Sequence, residues 1–234
     1  MAALRRVTSI EPQSRPNTRR VNIFLDGRFA FSLGDELAVK LSVGVILSDP
    51  EVEELQRRDA LSRVYSAALT LLSYRARGVS ELQARLLRRG FDPSLVDEVV
   101  ARLKEERILD DKEFAQLWVE NRQAHSPRGN RLLQAELRSK GVDREIIDGV
   151  LPGAGKEEEA AYRVARRKAR SLKGLEWQEF RRRTGDYLVR RGFGYELAAS
   201  TTRRLWSEVN GSANGASVPD WDDQLGDQGN EGES

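Results

Sequence analysis

The chain has 234 residues, of which 39% are hydrophobic and 32% are charged, a composition that can bury a core and favours amphipathic helices. It contains no cysteine and a single histidine, His125, which excludes disulfides, thiolate metal sites and multi-histidine metal sites. Residues 1–204 carry 39 basic and 30 acidic side chains, whereas the charged residues after Arg204 are seven acids. A basic body followed by an acidic segment is typical of proteins that bind nucleic acid or nucleoproteins.

The first residues predict a basic segment followed by a β-hairpin. Residues 1–20 contain five arginines and one acid, with little to bury, and predict a disordered basic arm. The segment 21–48 begins with VNIFLDGRFAFSL, in which apolar residues alternate around Asp26-Gly27. This pattern predicts a hairpin with a type I′ turn, in which Phe24 faces Phe29.

A helical pattern begins at Asp49-Pro50, where Asp49 is the predicted N-cap and Pro50 the first helical residue. From there a group of three helices recurs with a period of 51 residues. The recurring positions are Leu86, Leu137 and Leu188 in the core, and Gly90, Gly141 and Gly192 as helix stops. The predicted repeats are 49–109, 110–155 and 156–207. We therefore predict a mainly α fold, with three tandem three-helix repeats in an elongated curved array and a small N-terminal β-hairpin segment.

Residues 208–234 are rich in glycine, asparagine, serine and acids, and Trp221 is their only large aromatic residue. This composition predicts a disordered acidic tail. Because its charge opposes that of the preceding residues, we expect the tail to shield the basic surface from its partner.

Motifs that could support catalysis have simpler interpretations. PGAGKE at 152–157 resembles a phosphate loop, but Val150 replaces the required glycine and Glu157 the required hydroxyl residue, so a linker is predicted. Asp110-Asp111 could form a carboxylate pair, although their position before Phe114 favours helix capping. His125 is predicted to lie in a loop. We therefore expect no enzymatic activity and no cofactor or metal.

The basic residues are the candidate binding residues. A cation before each glycine stop is favoured by the helix dipole, worth about 0.3–1 kcal/mol. Further cations recur elsewhere, including a wholly positive stripe on the helix predicted for 157–173. Two interpretations remain open, an anion-facing surface that binds phosphates or acidic protein patches, and an ordinary solvated face. The candidates are Arg75, Arg77, Arg85, Arg88, Arg89, Arg122, Arg128, Arg131, Arg138, Lys140, Arg163, Arg166, Arg170, Lys173, Arg190 and Arg191.

Three blocks of sequence resemble one known family. YSAALTLLSYRARGVSELQARLLRRGF, RILDDKEFAQLWVENR and SPRGNRLLQAELRSKGVDREII occur in the order and spacing of the RecX family of bacterial recombinase regulators. The resemblance is strongest over residues 59–151, and the segment 21–48 resembles the N-terminal extension of some members.

The resemblance implies a non-enzymatic helical modulator of the RecA recombinase that acts in homologous recombination, DNA repair and the SOS response. Such proteins lie in the groove of RecA filaments on single-stranded DNA, where they limit filament growth, ATP hydrolysis, strand exchange and co-protease activity. We accordingly expect a cytoplasmic monomer that does not bind membranes, with the RecA filament as partner and naked single- or double-stranded DNA as a further ligand. The alternatives are a helical-repeat protein that binds DNA directly without RecA, and a structural scaffold.

Overall fold

The computed structural model describes residues 4–14 and 19–210, and the chain divides into two compact units, Met1–Asp110 and Asp111–Ser234. The first unit contains an antiparallel sheet and a three-helix bundle, and the second contains two further three-helix bundles. The predicted mainly α fold with N-terminal strands is confirmed. Most of the predicted acidic tail, 211–234, lies outside the described residues.

Four antiparallel strands form the N-terminal sheet in the order β3-β2-β1-β4. Val7, Ile23 and Leu33 are fully buried on one face of the sheet, where they form a core with Val52 of the first long helix. A four-residue helix, α1, follows β3. The bounds are β1 Leu4–Pro12, β2 Arg20–Leu25, β3 Arg28–Gly34, α1 Asp35–Ala38 and β4 Ile46–Ser48.

The predicted hairpin is present in strands β2 and β3. Asp26 and Gly27 have φ angles of +50° and +78°, the two positive values that a type I′ turn requires. Phe24 pairs with Phe29 as predicted, and their rings meet edge to face with centroids 6.0 Å apart. The local sequence therefore predicts this hairpin correctly.

The prediction of a disordered basic arm is wrong for residues 4–12, which form strand β1. This strand lies inside the sheet and pairs with β2 on one side and β4 on the other. Val7 is buried in the core, and Arg5 forms an ion pair with Asp49 of the first long helix. The strand is stabilised by partners distant in sequence, and the sheet accordingly has four strands rather than a hairpin alone.

The first unit continues with α2 Asp49–Tyr74, α3 Val79–Arg88 and α4 Pro93–Glu105. Their core includes Val64, Leu71, Leu82, Leu86 and Val99. The prediction that Asp49 caps α2 is wrong by one residue. Ser48 is the N-cap, and its backbone N and Oγ each lie 2.7 Å from a carboxylate oxygen of Glu51.

Over its described residues, 111–210, the second unit contains six α-helices and two cores. One core joins α5, α6 and α7 around Phe114, Leu133 and Leu137, and the other joins α8, α9 and α10 around Phe180 and Phe193. The bounds are α5 Asp111–His125, α6 Asn130–Ser139, α7 Arg144–Val150, α8 Ala154–Ala169, α9 Trp177–Arg190 and α10 Tyr195–Asn210.

The predicted glycine stops are confirmed. Gly90, Gly141 and Gly192 have φ angles of +81°, +76° and +87°, respectively, a region that favours glycine. Each follows the second helix of its bundle.

Two predicted boundaries near the third bundle are wrong. The linker ends at Gly153, so the last residues of PGAGKE belong to the first turn of α8. This helix ends at Ala169, and a 3₁₀ turn, Arg170–Leu172, follows it, so the predicted stripe on 157–173 does not lie on one continuous helix.

The predicted start of the acidic tail at residue 208 is also wrong, because α10 continues to Asn210. Glu208 belongs to this last turn, where its carboxylate accepts hydrogen bonds from Tyr162 at 2.6 Å and from Arg204 at 3.1 Å. The hydrogen bond from Tyr162 joins the end of α10 to α8.

Candidate functional site

Three predicted binding arginines meet one carboxylate in the first unit. The guanidinium of Arg75 donates to both oxygens of Glu81, with 3.1 Å between Nη1 and Oε2. Arg77 and Arg85 place their Nε atoms 3.5 and 3.3 Å from Oε1 of the same carboxylate. We name these four residues the Glu81 cluster. Three positive charges face one negative charge, so the cluster has a net positive charge to offer an anion.

Arg77 is the buried member of the Glu81 cluster, with 7% of its side chain exposed. Burial lowers the pKa of its guanidinium, and the positive charge of Arg75 lowers it further. Glu81 opposes this shift, whereas Arg85 and Arg89 add to it. Because burial and like charges disfavour the charged form of Arg77, an approaching anion would stabilise it.

A second cluster lies between α5 and α6 in the second unit. Glu136 accepts hydrogen bonds from the indole of Trp118 at 2.7 Å and from Nε of Arg122 at 3.0 Å, and it forms an ion pair with Arg128. The guanidinium carbon of Arg122 and Nζ of Lys140 lie 4.4 and 4.1 Å from the centroid of the Trp118 ring. We name these five residues the Glu136 cluster.

Arg191, at the end of α9, adds a further cation near the Glu136 cluster. Its Nη1 lies 3.4 Å from the carbonyl oxygen of Pro127, and its guanidinium carbon lies 4.8 Å from the ring centroid of Tyr187. Burial lowers the pKa of Arg128, and the positive charges of Arg122 and Arg191 lower it further. Two of these four cations, Arg122 and Arg128, pair directly with Glu136. Contacts with Trp118 hold Lys140, and contacts with Pro127 and Tyr187 hold Arg191.

Arg77 and Arg128 occupy equivalent positions, 51 residues apart, and each precedes the glycine that caps the following helix. At the next interval stands Glu179, so the arrangement is not repeated in the third bundle. The repeat therefore places one cation of each cluster at an equivalent position, whereas the carboxylates Glu81 and Glu136 stand at non-equivalent positions.

The remaining predicted residues do not join either cluster. Arg88 donates from Nε to the carbonyl oxygen of Ala84 at 3.1 Å, a bond that satisfies the end of its own helix. Arg163 donates to the carbonyl oxygen of Gln123 at 3.1 Å. All of this group are exposed: Arg88, Arg89, Arg131, Arg138, Arg163, Arg166, Arg170, Lys173 and Arg190.

Some arginines of the third bundle fit the alternative of an ordinary solvated face. Arg182 and Arg183 both donate to Glu179, and these hydrogen bonds lower the pKa of Glu179 to about 2. Exposed pairs of this kind contribute little and are common on solvated helices. They are weaker candidates for binding than the half-buried cations of the Glu136 cluster.

Sequence reasoning identified the cations but missed the groups that position them. Glu81 and Glu136 were not predicted as organising carboxylates. Trp118 is half-buried against the core of its bundle, and its indole N–H bonds to Glu136. The Glu81–Arg85 spacing of four residues on one helix was a signal that could have indicated the first pairing.

Within residues 4–14 and 19–210, no group of three or more His, Asp or Glu side chains is placed to hold a metal ion. In the same residues, no helix has the length and apolar character needed to cross a membrane. What the two clusters offer is fixed positive charge and hydrogen-bond donors, which can bind phosphate or carboxylate groups.

Three successive three-helix bundles define a helical-repeat protein. Four family models match the chain in order. They are the Regulatory protein RecX N-terminal domain at residues 5–45, and the first, second and third three-helix domains of RecX at 65–103, 110–151 and 156–200. The chain belongs to the RecX family.

Individual relatives support this assignment. The chain is 33% identical to the regulatory protein RecX of Bacillus licheniformis over 198 residues, which cover 83% of this chain and 75% of that protein. It is 32% identical to the Bacillus subtilis protein of the same name over 203 residues, covering 85% and 76%.

Solved structures share the fold. A crystal structure of a regulatory protein RecX matches with a TM-score of 0.67 at 23% identity, covering 82% of this chain and 96% of that one. RecX from Lactobacillus salivarius matches with a TM-score of 0.60 at 23% identity, covering 63% and 97%.

Proposed function

We propose that this chain is a regulator, mainly an inhibitor, of the RecA recombinase. In this proposal it binds the groove of RecA filaments on single-stranded DNA and limits filament growth, ATP hydrolysis, strand exchange and co-protease activity. Membership in a family whose relatives are named regulatory proteins supports a regulatory role. The observation that carries the binding role is the Glu136 cluster with Arg191, where Arg122 and Arg128 pair with one carboxylate while Lys140 lies on the Trp118 ring and Arg191 lies close to Arg128.

The Glu136 cluster suits the phosphate backbone of the filament's DNA. Guanidinium groups bind phosphate oxygens through charge-assisted hydrogen bonds. Arg122, Arg128 and Lys140 are half-buried and already held by Glu136 or Trp118, so they lose less side-chain entropy on binding than free surface cations would. Contacts to phosphates carry no sequence information, which suits a protein that must act wherever a filament forms.

The protein acts, in this proposal, without catalysis or a cofactor of its own. It acts as a monomer in the cytoplasm, and its effect comes from occupying the filament. Acidic patches of RecA are the second class of partner for the exposed cations of the three bundles. Naked single- or double-stranded DNA is a further ligand of the same clusters.

The test is the DNA-dependent ATPase of RecA on single-stranded DNA, followed over time with added protein. We expect the wild-type chain to slow ATP hydrolysis. The double variant Arg122→Ala/Lys140→Ala should bind filaments more weakly and inhibit less, because two phosphate contacts are lost. The logarithmic salt dependence of binding should become shallower by about 1 per lost cation.

Arg144→Ala is the matched control, because Arg144 belongs to the same unit and its side chain is 80% exposed beside Asp148. It should leave inhibition unchanged. A wild-type chain that binds naked DNA tightly but does not affect the RecA ATPase would contradict the proposal and favour the direct DNA-binding alternative. If removing the cluster charges altered only solubility, the scaffold alternative would be supported.

The acidic tail provides a second prediction. Residues 211–234 contain six acids and no basic residue, so removing them should strengthen binding of the basic clusters to DNA or filaments. The truncated chain should end at Asn210, because Glu208 of α10 is hydrogen-bonded to Tyr162 of α8. Affinity for labelled single-stranded DNA, measured at low and moderate salt, checks this prediction. Equal affinities for both chains would contradict a shielding role.

A further inference from the structure

Tyr74 is the most exposed aromatic side chain among the described residues, with 78% of its surface open to solvent. It is the last residue of α2, whose Leu71, three positions earlier, is buried in the core. Within the described part of the chain, the Tyr74 ring has no aromatic or cation partner and its hydroxyl has no hydrogen bond. A single exposed aromatic residue is unremarkable by itself, so its surroundings decide what it can do.

Those surroundings are the Glu81 cluster. The residue after Tyr74 is Arg75, about 3.8 Å away along the backbone, and Arg75 has an extended conformation with φ −170° and ψ 159°. Its guanidinium turns towards Glu81 on α3, where Arg77 and Arg85 also lie. The residue that carries the open ring therefore directly precedes, along the chain, a cluster with three positive charges and one negative charge.

An open aromatic ring beside fixed cations matches the chemistry of single-stranded nucleic acid. An unpaired base can stack on the ring while its flanking phosphates meet the cations. Paired bases of a duplex are already stacked and are not available for such a contact. An acidic protein surface would use the cations but would gain nothing specific from a planar ring.

The aromatic rings in and near the Glu136 cluster, unlike Tyr74, already have cations on them. Its Trp118 ring has Arg122 and Lys140 at 4.4 and 4.1 Å from the ring centroid, and nearby Tyr187 has Arg191 at 4.8 Å. Because cations lie against these rings, a nucleic-acid strand that approaches them contacts positive charge before it contacts the rings. Tyr74 is the ring that remains open for a base.

We propose that Tyr74 is a base-stacking site for single-stranded nucleic acid, with Arg75 and Arg85 of the Glu81 cluster as binding groups for the adjoining phosphates. The biological role of this site rests on the proposed function, since single-stranded DNA is the strand on which the filament forms. The site gives the first unit a preference for unpaired strands, whereas the Glu136 cluster binds phosphates in any form of DNA.

The experiment measures binding of the full chain, without RecA, to a fluorescently labelled oligo(dT) and to an abasic oligomer of equal length. Tyr74→Ala should weaken binding to oligo(dT) by about five-fold or more and leave binding to the abasic oligomer unchanged. Tyr74→Phe, which keeps the ring, should bind both like the wild type. Tyr74→Trp should show fluorescence quenched by oligo(dT) beyond that of the parent chain, and not by the abasic oligomer.

Phe29→Ala is the matched control, because Phe29 is an aromatic residue of the same unit with 59% exposure, located on the β-hairpin. Its binding to both oligomers should equal that of the wild type. Equal binding of oligo(dT) by Tyr74→Ala and wild type, with circular dichroism showing both folded, would overturn the stacking site. That result would leave the arginines as binding groups for phosphate or an acidic protein.

The outcomes separate this inference from the proposed function. Loss of base-dependent binding in Tyr74→Ala, together with no effect of the wild type on the RecA ATPase, would support the stacking site and refute the regulator. Inhibition of the ATPase by the wild type, together with equal oligo(dT) binding by Tyr74→Ala and wild type, would support the regulator and refute the stacking site.

Discussion

Gly192→Ala is expected to destabilise the second unit by about 2–5 kcal/mol. The residue joins α9 to α10 with a φ of +87°, which costs a residue with a Cβ about 1–2 kcal/mol. A Cβ added there would also lie 2.3 Å from Cβ of Leu132 and 2.6 Å from its backbone nitrogen. Overpacking of this kind costs about 1–3 kcal/mol when neighbouring atoms must shift.

The clash has a large effect because the backbones of two bundles are in direct contact at this point. The amide of Gly129 donates to the carbonyl oxygen of Arg191 at 2.9 Å, and the amide of Arg131 donates to that of Gly192 at 3.2 Å. A Cβ on Gly129 would in turn lie 2.3 Å from the carbonyl oxygen of Gly192. The contact cannot be relieved by rotating a side chain, so the whole loop must move.

Gly90→Ala is the matched control for backbone strain. Gly90 occupies the equivalent position in the first bundle with a φ of +81°, and a Cβ added there has no neighbour within 4 Å. Gly90→Ala should lower the free energy of unfolding only by the cost of the positive φ angle, about 1–2 kcal/mol. The difference between the two variants isolates the contact between the backbones.

The measurement is urea unfolding followed by tryptophan fluorescence for Gly192→Ala, because Trp118, Trp177 and Trp206 all lie in the second unit and none lies in the first. Gly90→Ala is followed by circular dichroism. If the Gly192 and Gly90 substitutions had equal costs, the close contact with Leu132 would not contribute to stability. The same variant should weaken DNA binding, since a displaced loop moves Arg191 away from Pro127.

Local signals accounted for most of the secondary structure. Asp26-Gly27 predicted the hairpin turn, and the glycines at 51-residue spacing predicted where helices stop, because both depend on backbone conformation at single residues. The sequence Ser48-x-x-Glu51 also contains the capping signal that places the N-cap of α2 one residue before the predicted cap.

Features that depend on distant partners were not predicted. Strand β1 offers only Leu4, Val7 and Ile10 as large apolar residues, so its composition suggested disorder, and only pairing with β2 and β4 makes it a strand. The cations of the candidate site were found by their recurrence. The grouping of these cations around Glu81 and Glu136 was not predicted. Arg75 lies in the break between two helices when it pairs with Glu81, and helical spacing rules do not apply to such a break.

Asp59→Asn is expected to destabilise the first unit by about 3–5 kcal/mol, the usual cost of removing one partner from a buried ion pair. The Asp59 side chain is 7% exposed, and its two carboxylate oxygens accept hydrogen bonds from Arg20 at 3.0 and 2.8 Å. One oxygen also accepts from the amide of Gly34 at 2.8 Å. Asparagine has a similar shape but no charge, so the half-buried guanidinium loses its counter-ion.

This pair links the N-terminal sheet to the first bundle. Arg20 begins β2 and also donates to the carbonyl oxygen of Ser32 on β3 at 2.9 Å, while Asp59 lies on α2. Loss of the pair should therefore loosen the sheet from α2 before it disrupts either core. Hydrogen–deuterium exchange of peptides covering 20–34 should increase in Asp59→Asn, with little change in peptides of the second unit.

A double-mutant cycle with Arg20→Ala and Asp59→Ala tests whether the interaction itself carries this effect. The exposed pair Arg5–Asp49, with side chains 38% and 43% exposed, provides the matched control. Its coupling free energy should be only about 0–1 kcal/mol, because solvent screens both charges and the side chains lose entropy when they pair. The coupling between Arg20 and Asp59 should be clearly larger, since water is excluded from Asp59 and the carboxylate has three donors. Equal coupling in the two cycles would mean that burial adds nothing to the pair, and the sheet would then be held to α2 by the apolar contacts of Val52 and its neighbours alone.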